Sequence, residues 1–583
     1  MCVGFFYGIP PCLRADRSGA TLRFARNQVR NQAHKHFSNT SGRCADKNTP
    51  MHAEVSRVLH SRKSTFTLTC AVFAAMTAST LALAIPSANQ PANQPANQPA
   101  TSAPRDIAAA IRSEVNSLGL KKAVIAVSVR DCATGYSVIS INGSEPMTPA
   151  SNMKLLTTGA ALLGLGPDFV FRTRVLRDGD RLLIVGDGDP ALGDPELLAE
   201  STYVDAWGVA HTGLTIDDLL ATWTKAIKAS GMTRVSEIVV DDRIFVREGP
   251  HPLWPKDQLD EGYCSPPSGM NFHGNGLCVK ASPNPGHAPT ITSMSPSAPW
   301  LTIVNKGTSR TGKNDRNTMW IARQPETGEL TIFGNVKIPY VVPITVGIGD
   351  PAAFLAQCVA HRLIAAGIPV QSTRLAAAND PAPKGTAVGP VLQTPLATVL
   401  THCNVESQNL YAESLMKRLA AKITGAPGSW ANGSIVVKSA LEANIGESAK
   451  GFVISDGSGL SRGNRVTADG MTAWITALAN NAAIGAIFVD SLAVGGKSGT
   501  VRKRMKDIDP AVATVQCKTG YIDKVSCLSG FVTARDGTRY AFSVLANNLC
   551  EVNSVGKAKK LQERVAKVIA DSLSARPKPA LGG

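Results

Sequence analysis

Aromatic side chains are scarce in this sequence: Phe, Trp and Tyr together make up 5% of 583 residues. Proteins that hold single-stranded nucleic acid stack bases on aromatics set in basic grooves. No Lys/Arg run interleaved with aromatics occurs here, so nucleic acid is a poor partner despite a formal charge of +16. Residues 1–84 carry 11 basic against 3 acidic side chains, which is half of that charge, and the rest is spread thinly. What remains is a mildly basic surface that suits an anionic polymer, a membrane surface, or plain solubility. Metal-binding spacings are missing too, with no Cys-x-x-Cys pair and no His-Glu-x-x-His, which argues against a zinc site. Charged residues are few, at 18%, but hydrophobic ones reach 44%; that balance excludes a mostly disordered or fibrous chain. At about 150 residues per domain, the length predicts roughly four domain-sized pieces.

Long apolar runs are also few, and one near the N-terminus decides the compartment. From Met51 the chain reads Arg57, Arg62 and Lys63, an apolar stretch Phe66 to Leu83 diluted by threonines, and then Ala82-Leu83-Ala84. Basic residues, an apolar segment and a small-residue cleavage site make a secretory signal peptide rather than a retained transmembrane helix. Cys70, preceded by Thr69, lies too early for a lipoprotein anchor. Residues 1–50 show little apolar periodicity and would bury the signal inside the chain, so Met51 reads as the start and 1–50 as a doubtful leader; a genuine disordered leader is the alternative. Three copies of Asn-Gln-Pro-Ala, Asn89 to Ala100, form a low-complexity tether. The expected organisation is a signal at 51–84, a linker at 85–104 and a tail at 576–583, with the mature protein starting near Ile85 in the periplasm or otherwise exported. Eight of the 12 cysteines lie beyond the signal. An exported chain permits disulfides, and Cys264 with Cys278, 14 positions apart, is the candidate bridge, two reduced buried thiols being the alternative.

Beyond the linker, Ile107 to Leu118 reads as a helix, Ala123 to Arg130 as a strand and Tyr136 to Asn142 as its hairpin partner. Pro149 precedes an apolar helix, Ser151 to Leu163. From Phe171 to about Pro390 the texture is short strands broken by Asp-Gly and Pro, such as Arg174 to Leu176 and Arg181 to Val185, with one amphipathic helix near Ile216 to Ser230. Helices return at Ser407 to Ile423, Gly433 to Asn444 and Thr467 to Leu478. Three strands, Ala511 to Lys518, Val525 to Ala534 and Arg539 to Ala546, precede a closing helix, Val555 to Leu573. Two opening and three closing strands suggest one sheet made from both chain ends, with 171–390 as an insertion.

Three short motifs carry chemistry. In Ser151-Asn152-Met153-Lys154 one helical turn puts the amine of Lys154 on the same face as the Ser151 hydroxyl, where it can act as a base. Serine is a common N-cap, and Ser554-x-x-Lys557 repeats the spacing, so the motif alone means little. Ser407-Gln408-Asn409 sets a hydroxyl and an amide at another helix start, where a cap is again the bland alternative; Ser87-Ala88-Asn89 shows how cheap that pattern is. Lys518-Thr519-Gly520 ends a strand, where a cation and a hydroxyl would line a groove and glycine would let a substrate backbone approach. A rival, Lys497-Ser498-Gly499, sits in loop-like sequence, and it is no phosphate loop because Ser491 stands where the first glycine belongs.

The ordered set lifts these above chance. Ser-x-x-Lys, Ser-x-Asn and Lys-Thr-Gly in that order is the signature of penicillin-binding proteins and serine β-lactamases. With Gly186-Asp187-Gly188-Asp189-Pro190, Val240-Asp241-Asp242, Ser265-Pro266-Pro267-Ser268-Gly269-Met270-Asn271, Ser455-Asp456-Gly457-Ser458-Gly459-Leu460-Ser461-Arg462 and Gly499-Thr500, the chain from about Arg105 to Leu573 resembles the penicillin-binding D-alanyl-D-alanine carboxypeptidase/endopeptidases of low-molecular-mass class C. The resemblance implies an α/β fold: a serine β-lactamase/D,D-peptidase-like domain with an antiparallel five-stranded sheet, made of 105–170 and 391–575. It further implies a large β-rich insertion of one or two domains at 171–390. The 256 positions between Ser151 and Ser407 fit that plan and are far too many for compact β-lactamases. It also implies that Ser151 attacks the penultimate D-alanine carbonyl of a peptidoglycan stem peptide, that Lys154 is the base and that Ser407 relays the proton. Asn409 would hold the substrate amide, and Lys518, Thr519 and Gly520 would line the substrate's acyl and carboxylate side. The N–H groups of Ser151 and Tyr521 would form the oxyanion hole. No cofactor is implied. The expected partners are stem peptides and, as inhibitors, β-lactam antibiotics, with a loosely held membrane surface and a second copy as further candidates. Tyr521 departs from the Thr or Ser usual after Lys-Thr-Gly, which puts recognition of a free carboxylate in doubt. A β-lactamase, or a non-catalytic cell-wall-binding protein on the same fold, is the alternative function.

Overall fold

The last three strands of the chain pair with one another and then with the first two. In the computed structural model, which describes residues 103–204, 210–324 and 328–574, the antiparallel sheet runs Ala493–Val494, Ala513–Ile522, Val525–Ala534, Arg539–Asn547, Val124–Asp131, Ser137–Ile141. The five predicted strands are all present, and a two-residue strand adds a sixth at the edge. Val525–Ala534 and Arg539–Asn547 are buried almost throughout because both faces of the sheet are covered, which is why their sequences are nearly continuous apolar runs. Along Arg539–Asn547 successive side chains divide between two cores: Tyr540, Phe542, Val544 and Ala546 pack with the terminal helices Ala103–Asn116 and Ser554–Ser574, while Ala541 and Leu545 join the central helices. Along Ala513–Ile522 the same period-two rule sends Ala513, Val515 and Cys517 to the terminal helices, which turns Lys518 and Gly520 toward the central ones.

On that inner face lies the helix Met153–Leu165, buried from Met153 through Leu162, with Asn409–Thr424, Trp430–Ile445 and Ala468–Ala479 around it. A helix Leu396–Val405, not expected from the sequence, leads into the second motif. The closing helix and those near 107, 407, 433 and 467 stand within a few residues of their expected bounds.

The insertion is rich in short strands, as expected, and carries more helix than its sequence suggested. Its main sheet is mixed: Val235–Asp241 lies between Val370–Leu375 and Arg181–Val185, parallel to both, and Val170–Asp178 joins antiparallel and also pairs with Thr386–Ala387 and Leu392–Pro395. Two helices pack on it, the expected one at Ile216–Ala229, capped by Thr215 and Asp218, and an unexpected one at Pro351–Ala365, capped by Asp350. The second is apolar nearly all round, with nine of its 15 residues buried, so it lacks the stripe that marks a helix in sequence. Two three-stranded sheets lie between these helices in the chain, Ile344–Gly347 with Gly276–Ser282 and Thr290–Ser295, and Ile303–Asn305 with Leu330–Phe333 and Trp320–Arg323. Leu277, Val279, Ile321 and Ile332 from these strands share one core with Trp223 and Phe354.

No helix among the described residues is long and apolar enough to cross a membrane. The expected leader, signal segment, Asn-Gln-Pro-Ala repeats and tail lie outside the described residues.

Candidate active site

Ser151 stands in a 3-10 turn, Ala150–Asn152, that runs straight into Met153–Leu165. The turn is entered through Ala150 at φ 48°, a left-handed conformation that costs a residue with a Cβ. Two contacts hold it there. Gly459 packs on the Ala150 carbonyl, where any side chain would collide, and Asn152 donates Nδ2 to Ser529 Oγ at 2.6 Å, tying the turn to the central strand. One turn further, Lys154 Nζ lies 3.1 Å from Ser151 Oγ, 2.7 Å from Asn409 Oδ1 and 2.9 Å from the Ser458 carbonyl. An ammonium donates to all three. A neutral amine keeps two N–H groups for Asn409 and Ser458 and turns its lone pair to the Ser151 hydroxyl.

The second and third motifs meet opposite this pair. Ser407 does not cap its helix: it sits at φ 64°, two residues before Asn409–Thr424, and its Oγ accepts from Lys518 Nζ at 2.7 Å. A left-handed serine bonded to a buried lysine is strain held at a site rather than a cap. Asn409 is doubly engaged, its Oδ1 by Lys154 and its Nδ2 by the Tyr263 carbonyl at 3.0 Å. It thereby braces Lys154 and the inserted segment. Thr519 Oγ1 is 2.8 Å from Thr500 Oγ1. The glycine of Lys-Thr-Gly serves the enzyme's own packing: a Cβ on Gly520 would lie 2.5 Å from the Pro149 carbonyl and 3.1 Å from the Asn152 nitrogen, so only glycine lets the strand close on the Ser151 turn. Tyr521 is 46% exposed, with its ring 5.3 Å from Lys559 Nζ of the closing helix.

Burial sets the electrostatics. It pulls Lys154 down to about 8, against the opposing pull of Cys403, Glu413 and Asp456. Lys518 is held well below the usual lysine range by burial and then by the neighbouring Lys154. Two buried amines in one groove favour a neutral one between them. Beneath Lys154, Glu413 accepts from the N–H groups of Gly457 and Ser458 at 3.0 and 2.8 Å and from Trp430 Nε1 at 2.8 Å. Burial, with Asp456 close by, pushes its carboxyl up to about 7. Asp456 gathers the same loop, accepting from Gly459 N, Ser461 N and Asn464 Nδ2 at 2.8, 2.6 and 2.7 Å.

The rival motifs are elsewhere. Ser554 opens the closing helix with its Oγ donated to the Glu551 carbonyl at 2.6 Å, and Lys557 is exposed; Lys497 is exposed, and Ser498 Oγ accepts from Val494 N at 2.8 Å. Sequence reasoning missed Glu413, although it lies one turn beyond Asn409 on the same helix face. Thr500 was visible only as a flank. The proposed bridge is absent: Cys264 and Cys278 are both free thiols. Cys264 is packed in the core of the central helices, whereas Cys278 lies on a strand of the insertion with Sγ 3.5 Å from Thr345 Oγ1.

Residues 107–569 match the model of the D-Ala-D-Ala carboxypeptidase 3 (S13) family. The chain is 31% identical over 466 residues to a D-alanyl-D-alanine carboxypeptidase of Actinomadura sp. (strain R39), covering 75% of this chain and 81% of the relative. It is 26% identical over 432 residues to the D-alanyl-D-alanine carboxypeptidase DacB of Haemophilus influenzae, covering 73% and 85%. Among solved structures, penicillin binding protein 4 (dacB) from Haemophilus influenzae superposes with a TM-score of 0.62 at 22% identity, covering 79% of this chain and 99% of that one, a likeness of fold.

Proposed function

The chain belongs to the D-Ala-D-Ala carboxypeptidase 3 (S13) family and is a serine D,D-peptidase, and from that premise we propose that Ser151 is the nucleophile and Lys154 its base. The substrate is the D-alanyl-D-alanine end or cross-link of a peptidoglycan stem peptide, and penicillin inhibits by acylating the same serine. Ser151 Oγ attacks the carbonyl carbon of the penultimate D-alanine while its proton passes to neutral Lys154. The oxyanion is met by the N–H groups of Ser151 and Tyr521, a type of stabilisation that ranks among the larger catalytic terms. Collapse breaks the C–N bond, and Ser407 relays to the leaving nitrogen the proton that Lys154 took from Ser151, which leaves Lys154 neutral again. The acyl group stays on Ser151 until water, deprotonated by Lys154, releases it. Lys518 and Thr519 hold the substrate's carboxylate side, with Thr500 orienting the Thr519 hydroxyl.

What carries this reading is the 3.1 Å approach of a buried amine, pulled down to about 8, to the Ser151 hydroxyl. Strand order supports dividing the chain into a catalytic domain of 105–170 and 391–575 interrupted by 171–390. Export is read from the signal-like segment and the wall substrate. A membrane surface and a second copy as partners rest on the sequence alone, and sedimentation with and without anionic vesicles tests both. For the site, penicillin is expected to label Ser151, Ser151→Ala to lose the adduct and Ser554→Ala to keep it. Peptide mapping that finds the drug on any other residue overturns the assignment. Lys518→Ala should slow acylation far more than Lys497→Ala, and equal effects would remove Lys518 from the groove.

A further inference from the structure

Away from the catalytic groove, the insertion carries an open cavity of about 490 Å³ between its strands and the helix Pro351–Ala365. That volume is in the range of small-molecule sites, of roughly 300–1,000 Å³. Its walls are apolar where Leu277, Trp300, Leu330, Ile348 and Phe354 meet it, with the Trp300 and Phe354 rings 5.7 Å apart. Into this wall is set one guanidinium, that of Arg323.

Arg323 is poorly paired for a group so placed. Its side chain is 18% exposed, and its one ion pair among the described residues, to Asp260, spans 4.0 Å. Its Nε is buried with no hydrogen-bond partner among the described residues. A guanidinium brings five N–H donors and no acceptor, so burial without oxygen partners is unfavourable unless something else supplies them. Burial also lowers the proton affinity of Arg323 below the usual arginine value. One edge of the fork, Nη1, lies beside Gly349, where a Cβ would overlap it. The carboxylate that borders the cavity, Asp350, is committed to the helix, accepting from Ala353 N at 2.9 Å.

We propose that this cavity binds a monocarboxylate carried on an apolar body, its two oxygens taken by the fork of Arg323 and its body laid against Trp300 and Phe354. A planar carboxylate matches a guanidinium bidentately. A dianion is disfavoured, since the one cation here already has the Asp260 carboxylate 4.0 Å away, and the Asp350 carboxylate borders the cavity. Alkyl acids and the C-termini of apolar peptides share this chemistry.

Calorimetric titration of the mature enzyme with sodium octanoate and with N-acetyl-phenylalanine tests the proposal and separates the two sources. One molecule per chain is expected to bind, octylamine is not, and prior acylation by penicillin should leave the titration unchanged. Arg323→Gln should weaken the acid by about ten-fold or more while taking up penicillin at the wild-type stoichiometry. If that variant fails to take up penicillin, Arg323→Lys, which keeps the charge and loses the fork, carries the test and should still weaken binding several-fold. The proposal is overturned if neither acid binds below about 10 mM, if octylamine binds as well, or if the variant read binds as tightly as wild type.

Discussion

At the scale of single residues, the site depends on amines kept short of their usual protonation. If Lys154 acts as the base with its pKa pulled down to about 8, the acylation rate should climb through that pH and level off above it, because only the neutral amine can take the serine's proton. Stopped-flow acylation by penicillin between pH 6 and 10 checks this, and a flat profile would contradict it. Glu413 pulls the Lys154 pKa upward, so Glu413→Gln should move the inflection to lower pH. The same change places an amide against N–H donors that now meet a carboxylate, at a cost of about 1–3 kcal/mol in unfolding free energy. A shift of the inflection upward would show that Glu413 does not act through its charge. Tyr521 takes the place of a hydroxyl residue, and its ring lies beside Lys559. Tyr521→Thr is expected to raise turnover of a pentapeptide more than acylation by penicillin, by the equivalent of one hydrogen bond, roughly 0.5–1.5 kcal/mol. Equal changes in the two rates would mean that the side chain has no part in carboxylate recognition.

At the scale of elements, the approach of the Lys518 strand to the Ser151 turn is the critical distance. Gly520→Ala should force the two apart, lowering the acylation rate by at least about ten-fold and stability by about 1–3 kcal/mol, as overpacking does; unchanged acylation would show that the strand has slack. Much of this layer was legible in the sequence. Val525–Ala534 and Arg181–Val185 begin and end where their apolar runs and flanking turns put them, and the three motifs were visible because each is local. What stayed hidden has physical causes. Pro351–Ala365 and Leu396–Val405 are apolar on most sides, so no periodicity separates helix from buried strand. The left-handed backbone at Ala150 and Ser407 leaves no mark in residue type, since it is imposed by distant packing. The brace from Asn409 to the Tyr263 carbonyl joins positions 146 apart in sequence, and no spacing rule foretells it.

At the scale of the whole molecule, the insertion is held by packing rather than by covalent cross-links, with Cys264 in the core of the central helices and Cys278 outside it, half-buried on a strand of the insertion. Thiol titration of the unfolded, unreduced mature chain is therefore expected to find both free, and reductant should leave the melting temperature unchanged; a reductant-dependent fall would restore the bridge. The sheet that carries Lys518 has a different liability. Val124 pairs with Asn547, so the opening strand must wait through the synthesis of nearly the entire folded chain before its neighbour exists. Pairings of such long range form late and slowly. The insertion, whose own strands are complete once residue 395 has emerged, can settle first and hold the unfinished halves near each other. A serine D,D-peptidase built this way has no assembled groove, and so nothing to cut with, until the strands that carry Lys518 have been made and paired.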